Sequence, residues 1–314
     1  MAEHNFDRRS IPAGAVIGAC TVNGWSLRTL DWAPGGDPRG TMLVLGGRGD
    51  FLEKYIEPIC HWHSQGWHIA SFDWRGQGGS GRLTRNPLVG HINDLLIMIN
   101  DLAAIWSELT LRTPGPHVVV AHSMGGHLAL RALVEHRIDP VAAVLVAPML
   151  GLNADPLPPR VAAFVASIMA RICSPERPAW RSNERPSLGI SRQKLLTHSL
   201  ERYADEIWWG ETHPELVLGP PSWQWLRAAY RSTLGSFAPG RLEGVEVPSL
   251  LLCADHDRLV RPRAIHEAAA RMPDALLVRF GAEAAHELLR EADPVRHRVF
   301  AEIDMFLKER APRP

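Results

Sequence analysis

Residues 117–132 read HVVVAHSMGGHLALRA, and the rest of the chain is interpreted around them. Small and β-branched apolar residues run from Val118 to Ala121 straight into Ser123, and apolar residues at helical spacing follow at once. This pattern predicts a strand, a tight turn and a helix, with a hydroxyl at the apex. A serine at such an elbow is lifted above the sheet, beside the unpaired N–H groups of a helix N-terminus. Ser123 is therefore a candidate nucleophile. It would need a base, an acid to orient the base, and an oxyanion site.

Outward from this stretch the chain alternates strands and helices. Ala15 to Thr21 and Trp25 to Trp32 read as a hairpin turned at Asn23-Gly24, and Thr41 to Leu45 as a buried strand opening into Gly46-Gly47-Arg48-Gly49. Phe51 to Gln65 has a helical period interrupted at Pro58, His68 to Trp74 reads as a strand, and His91 to Leu109 as an amphipathic helix. Met124 to His136 is the helix after the elbow, and Val141 to Ala147 another buried strand. Between 151 and 237 the rhythm stops. Prolines are frequent there, Arg160 to Cys173 and Ser191 to Tyr203 read as helices, Trp208-Trp209 and Trp223/Trp225 form two tryptophan pairs, and no buried strand stands out. The rhythm resumes with strand Ser249 to Cys253, helix Pro262 to Arg271, strand Ala275 to Phe280 and a helix from Pro294 to about Lys308. The fold class expected is α/β: a mostly parallel twisted sheet with helices on both faces. Residues 1–150 and 238–314 would form its core, with 151–237 inserted as a helical cap or lid.

Composition narrows the function. Lys plus Arg and Asp plus Glu both number 34, so no field of one sign favours nucleic acid as a partner. Cys20, Cys60, Cys173 and Cys253 are too scattered for a metal or redox pair, and Cys60 and Cys253 read as small buried hydrophobes. No apolar run approaches the ~18 residues of a membrane span, and the N-terminus shows no apolar leader region. The expectation is a soluble, cytoplasmic protein with reduced thiols. Its oligomeric state is not encoded in any visible pattern.

The resumed half supplies the partners in the order Ser, Asp, His. The strand Leu250 to Cys253 ends in Ala254-Asp255-His256-Asp257, and the next strand is followed by a loop reaching His286. Either Asp255 or Asp257 could orient that imidazole.

These pieces resemble the α/β-hydrolases of the lysophospholipase and monoacylglycerol lipase group, the serine aminopeptidase-like family. The matching segments are Glu53-Lys54-Tyr55, Phe72 to Ser80 (FDWRGQGGS), Gly90-His91, His122 to Gly126, Asp257 to Val260 and His286-Glu287-Leu288. The resemblance implies Ser123 as nucleophile, Asp257 as acid, His286 as base, and the backbone N–H groups of Arg48 and Met124 as the oxyanion hole. It also implies a lysophospholipid or monoacylglycerol-like ester as substrate, hydrolysed through an acyl-enzyme without cofactor or metal. Transient contact with a membrane surface is compatible with it. Two positions depart from the family pattern. Ala121 replaces the first glycine of Gly-x-Ser-x-Gly, where a methyl is small enough to be tolerated. Gly46-Gly47-Arg48-Gly49 stands where His-Gly is usual; backbone donors are indifferent to that change, while the Arg48 guanidinium could engage a phosphate or carboxylate.

Other motifs favour blander readings. Gly76, Gly78 and Gly81 match a dinucleotide fingerprint with Asp101 at a suitable distance, but no helix opens at the third glycine, so they read as a tight loop behind the nucleophile. His61 and His63 diverge on a helix, and His286-Glu287 lacks the second histidine of a zinc motif. His122 should point away from Ser123 and pack structurally. The cap tryptophans are core residues by default, with acyl-chain contact the functional alternative. A peptidase or amidase, an acyltransferase, and a catalytically silent binding fold remain the competing functions.

Overall fold

Asn23 and Gly24 both take positive φ, +49° and +73°, which a two-residue hairpin turn requires, and they join β1 (Val16–Val22) to β2 (Trp25–Trp32). The structure, a computed structural model, describes residues 7–181, 191–236 and 238–313. Residues 1–6 of the N-terminal stretch, and 182–190 and 237 of the expected insertion, lie outside the described residues. The remaining strands are β3 (Gly40–Leu45), β4 (Trp67–Phe72), β5 (His117–His122), β6 (Ala142–Val146), β7 (Ser249–Ala254) and β8 (Ala275–Phe280). They form one sheet in the order β1-β2-β4-β3-β5-β6-β7-β8, with β2 antiparallel to its neighbours and β3 to β8 mutually parallel.

Side chains alternate between the two faces. Leu43, Leu45, Val119 and Ala121 enter one core cluster, while Met42, Val44, Val118 and Val120 enter the other. Both faces are dry because helices cover both, which is why these strands read as continuous apolar runs. The first face carries α2 (Leu95–Arg112), α3 (Ser123–Val134) and α8 (Pro262–Arg271); the second carries α1 (Ile56–Ser64) and α9 (Asp293–Arg310). Between β6 and β7 the chain forms α4 (Pro159–Ile172), α5 (Arg192–Leu196), α6 (Leu200–Thr212) and α7 (Trp223–Ser236), and adds no strand to the sheet among the described residues.

Several local expectations need correction. Phe51 to Gln65 is not one helix: a 3-10 turn over Leu52–Tyr55 precedes α1, and Pro58 falls in the first turn of α1, where its missing N–H has no intrahelical partner to lose. The helix expected from His91 begins at Leu95, because Asp94 accepts from the Leu96 N–H and caps it. Ser191 to Tyr203 splits into α5 and α6, since Ser199 caps the second helix through the Arg202 N–H. The helix α7 around Trp223 and Trp225 was not expected at all. Cys253 is buried as expected, but Cys60 is only half-buried.

The chain runs from β3 outward to β4, then returns across β3 to place β5 on its other side, making the β3/β5 boundary a switch point where ligands bind. Leu45 pairs with Ala121 there, so the loop after β3 and the elbow after β5 leave the sheet side by side. The fit is tight. A Cβ added to Gly125 would stand 2.4 Å from the Gly46 carbonyl oxygen, whereas one added to Gly235 in α7 meets nothing within 4 Å. Gly125→Ala is therefore expected to destabilise by about 1–3 kcal/mol through overpacking. Gly235→Ala should be neutral or stabilising by up to about 1 kcal/mol, with urea unfolding midpoints as the readout for both.

Candidate active site

Ser123 has φ +50°, a conformation a non-glycine residue holds only when its surroundings impose it. The imposing contacts are those that press α3 against the sheet: Gly125 on Gly46, and Gly126, whose Cβ would lie 2.9 Å from Pro148. Ala121 is fully buried in the adjoining core, so its methyl is accommodated as expected. The result raises the Ser123 hydroxyl above the C-terminal edge of β5.

Asp257 follows β7 and His286 follows β8, so both reach the same edge from neighbouring strands. The Ser123 hydroxyl donates to His286 Nε2 at 2.8 Å, and His286 Nδ1 donates to Asp257 Oδ2 at 2.6 Å. The other Asp257 oxygen accepts the N–H groups of Leu259 and Val260 at 2.7 and 3.1 Å, which fixes the carboxylate. Of the two candidate aspartates, Asp257 is thus the one brought to the imidazole. Asp255 turns the other way, to Arg279 at 2.7 Å and His266 at 3.0 Å. All three residues of the Ser-His-Asp chain are buried.

The loop after β3 lies against the serine, with Gly47 so placed that an added Cβ would approach Ser123 Cβ to 3.0 Å. Two side chains accept N–H groups of this loop. Asp50 accepts the Gly47 N–H at 2.6 Å, and Gln77 accepts the Gly49 N–H at 3.0 Å. The Arg48 peptide is clamped between them, and Met124 lies in the first turn of α3, whose N–H groups have no intrahelical acceptor. The Arg48 guanidinium reaches the other side of the cavity, donating to the Gly219 carbonyl at 2.9 Å and lying 5.6 Å from the Trp225 ring.

His122 is buried and packs structurally, through polar contacts. Its Nδ1 is 2.8 Å from the Tyr55 hydroxyl and its Nε2 is 3.3 Å from the His286 carbonyl oxygen. An imidazole nitrogen facing a carbonyl can bond only by donating, so Nε2 carries its proton there and takes none from Ser123. Behind it, burial pushes the Asp50 carboxyl up, but Lys54 and His122 outweigh this and hold it well below the usual carboxylate range. Burial likewise lowers Lys54, and Asp50, Glu206 and Glu287 reverse that and raise it. Sequence reasoning passed over Asp50, Lys54, Tyr55, Glu287 and Arg290 as functional residues. The available signal is that Lys54, Tyr55 and Glu287 lie in Glu53-Lys54-Tyr55 and His286-Glu287-Leu288, two of the segments that carry the family resemblance.

The other motifs resolve plainly. Asp101 is bound by Arg75 through two contacts of 2.7 Å and is buried, so it offers nothing to a ribose. Gly78 at φ +47° packs on Asp73, and the glycine loop brings Gln77 against the loop after β3. His61 stacks on Phe300 and His63 on Trp32, on diverging sides of α1. Cys253, Asp255 and His266 bring metal-ligand atoms within 4.8 Å of one another. Asp255 is already neutralised by Arg279, and burial together with Asp255 and Asp257 pushes the Cys253 thiol up to about 12.

The serine opens into a cavity of about 880 Å³, of the size that encloses a small ligand. Its floor is Ser123, His286 and Asp257, and its apolar wall comes from α4 and α7 with Trp180, including Ala166, Trp223, Trp225 and Leu226. Trp208 and Trp209 lie elsewhere, packed with Phe51 and Ile56.

The family model for serine aminopeptidase, S33, matches residues 36–293. Lysophospholipase L2 of Escherichia coli K12 is 29% identical over 291 residues, covering 86% of this chain and 81% of the relative. Probable lysophospholipase L2 of Haemophilus influenzae is 26% identical over 274 residues, covering 86% and 84%. A soluble variant of monoglyceride lipase from Saccharomyces cerevisiae, solved with a substrate analog, superposes with a TM-score of 0.76 at 18% identity, covering 98% of this chain and 99% of that one. With the sheet, the elbow and this match in agreement, the chain belongs to the serine aminopeptidase S33-like family and has the α/β-hydrolase fold.

Proposed function

We propose that this protein is a serine hydrolase of carboxylic esters whose acyl part is a lipid chain. The observation that carries the reading is the Ser123–His286–Asp257 chain, with contacts of 2.8 and 2.6 Å, at the floor of a cavity with one apolar wall. Ser123 Oγ attacks the ester carbonyl as His286 Nε2 takes its proton. Asp257 keeps the proton of Nδ1 in place and stabilises the imidazolium. The backbone N–H groups of Arg48 and Met124 receive the developing oxyanion. The tetrahedral intermediate collapses, the alcohol leaves with the proton from His286, and water repeats the sequence on the acyl-enzyme. No metal or cofactor enters this scheme.

The lipid part of the reading is supported by the named activities of the E. coli and H. influenzae relatives, and by the apolar wall of the cavity. Residues 151–237 serve as the cap over the site. The cap also presents an apolar stripe outward: Leu157, Val161, Phe164, Ile168 and Ile172 are exposed, while Ala162, Ala166 and Ala170 face inward. Arg160 and Arg171 flank the stripe, and α4 has no acidic residue. Leu157 and Val165 belong both to this surface and to the cavity lining, so a lipid could pass from an aggregate to the serine along one apolar path. Among the described residues no helix is long and apolar enough to cross a membrane.

Three outcomes follow. A fluorophosphonate probe should label the wild type and not Ser123→Ala; undiminished labelling of the variant removes the nucleophile. Asp257→Asn should lower kcat by roughly 10⁴-fold, the scale known for a triad aspartate, whereas Asp255→Asn should change it little; equal losses would reverse the choice of acid. Against p-nitrophenyl esters of increasing length, lysophosphatidylcholine, monoolein and aminoacyl anilides, the long-chain esters should give the highest kcat/KM. Preference for the anilides would replace this reading with a peptidase.

A further inference from the structure

The loop bearing His286 is attached to the insertion as well as to the sheet. Leu195 and Leu196, at the end of α5, accept the N–H groups of His286 at 3.4 Å and Glu287 at 2.7 Å. The Thr197 hydroxyl donates to the Arg290 carbonyl at 2.8 Å, and the fully buried Glu291 accepts from Ala285 N–H at 2.7 Å and His198 N–H at 3.0 Å. Beneath these backbone contacts, α6 delivers a buried carboxylate. Glu206 Oε2 lies 3.1 Å from Lys54 Nζ and 2.9 Å from Arg290 Nη1, and Glu206 Oε1 accepts from Arg192 Nη2 at 2.7 Å.

Lys54 is the hub. Its ammonium also bonds Asp50 at 2.6 Å and Glu287 at 2.8 Å, and Arg290 bonds Glu287 in turn. Lys54, Arg290 and Arg192 thus face Asp50, Glu206 and Glu287, cations balancing anions. Without Glu206 the balance fails in a place where an uncompensated charge is costly. The His286 ring meets Asp257 after β7 and His122 at the end of β5; around them stand Asp50 on His122, Lys54 on Glu287, Glu287 and Arg290 on its own turn, and Glu206 and Arg192 from the insertion. Asp50 also holds the Gly47 N–H, so the cluster touches both loops that meet at Ser123.

We propose that Glu206 is a positioning residue for the reaction. By neutralising Lys54 and Arg290 from the insertion, its carboxylate holds the His286 loop and the Gly46–Gly49 loop at working distance from Ser123. The cap is therefore part of the catalytic assembly, and displacing α6 disassembles the site. This inference rests on the triad reading.

The test compares wild type, Glu206→Gln, Arg192→Gln and Ser123→Ala on p-nitrophenyl butyrate across pH. Glu206→Gln should lower kcat about tenfold or more with KM changed less than about threefold, since it misplaces groups that act in the transition state. It adds net positive charge near the imidazole, so the acid limb of kcat/KM should move to lower pH. Arg192→Gln, at the half-exposed rim of the cluster, removes a positive charge and should move that limb to higher pH. Wild-type kcat in Glu206→Gln, or an acid limb unmoved in Arg192→Gln, overturns the proposal. Should Glu206→Gln not fold, Lys54→Met/Glu206→Gln, which removes one charge of each sign, is compared with Lys54→Met alone: a kcat nearer wild type in the double variant supports the proposal, and a double variant no better than Lys54→Met overturns it. Hydrolysis persisting in Ser123→Ala would overturn the triad itself, a separate outcome from wild-type kinetics in Glu206→Gln.

Discussion

Everything at the site depends on how closely α3 approaches the end of β3. Gly125 lies where a Cβ would come to 2.4 Å from the Gly46 carbonyl, and that contact holds Ser123 at φ +50°. An isolated serine in this conformation would cost of order 1–3 kcal/mol. The cost is distributed over a buried parallel sheet whose register, Leu45 opposite Ala121, brings the two loops out together. The strain is useful because it fixes the hydroxyl on a rigid element, where loop motion cannot carry it away from the imidazole.

A second constraint is electrostatic. The loop after β3 has few apolar side chains to anchor it, and it is held instead by Asp50, Gln77 and Arg48. Asp50 can remain ionised while buried only because Lys54 and His122 accompany it, and Lys54 requires Glu206 and Glu287 in turn. Such clusters contribute little net stability over an apolar replacement, yet losing one member costs about 3–5 kcal/mol.

The parts of this structure legible in the sequence are those governed by short-range pattern. The hairpin at Asn23-Gly24, helix Pro262–Arg271 and strand Ala275–Phe280 follow from turn chemistry and apolar period, and the structure has them as read. The order Ser, Asp, His was legible because each residue follows a strand that could be recognised. The choice between Asp255 and Asp257 was not fixed by pattern, since both follow β7; it is decided by Arg279 and His266, distant in sequence, which occupy Asp255. The helix α7 is not legible in the sequence because its apolar residues pack against α4 rather than the sheet and its sequence carries two tryptophans and a glycine. The charge cluster escaped for a deeper reason: Lys54, Glu206 and Glu287 come from three separate segments, and nothing local to any of them announces burial.

These two constraints divide the cavity between them. Its reactive end is built from the ends of β3, β5, β7 and β8, and is as rigid as the sheet. Its apolar end is built from α4 and α7, whose inner contact is made by small residues such as Ala162, Ala166 and Ala228, so changes of side-chain size there alter cavity shape without touching the elbow. If the insertion met the core only through that apolar wall, selectivity and chemistry would vary independently. Glu206, the carbonyls of Leu195 and Leu196, and Glu291 with His198 prevent that, because they tie the same insertion to the loop that carries His286. An insertion exchanged between relatives would therefore have to bring its buried carboxylate as well as its apolar wall, or it would reshape the pocket while unseating His286.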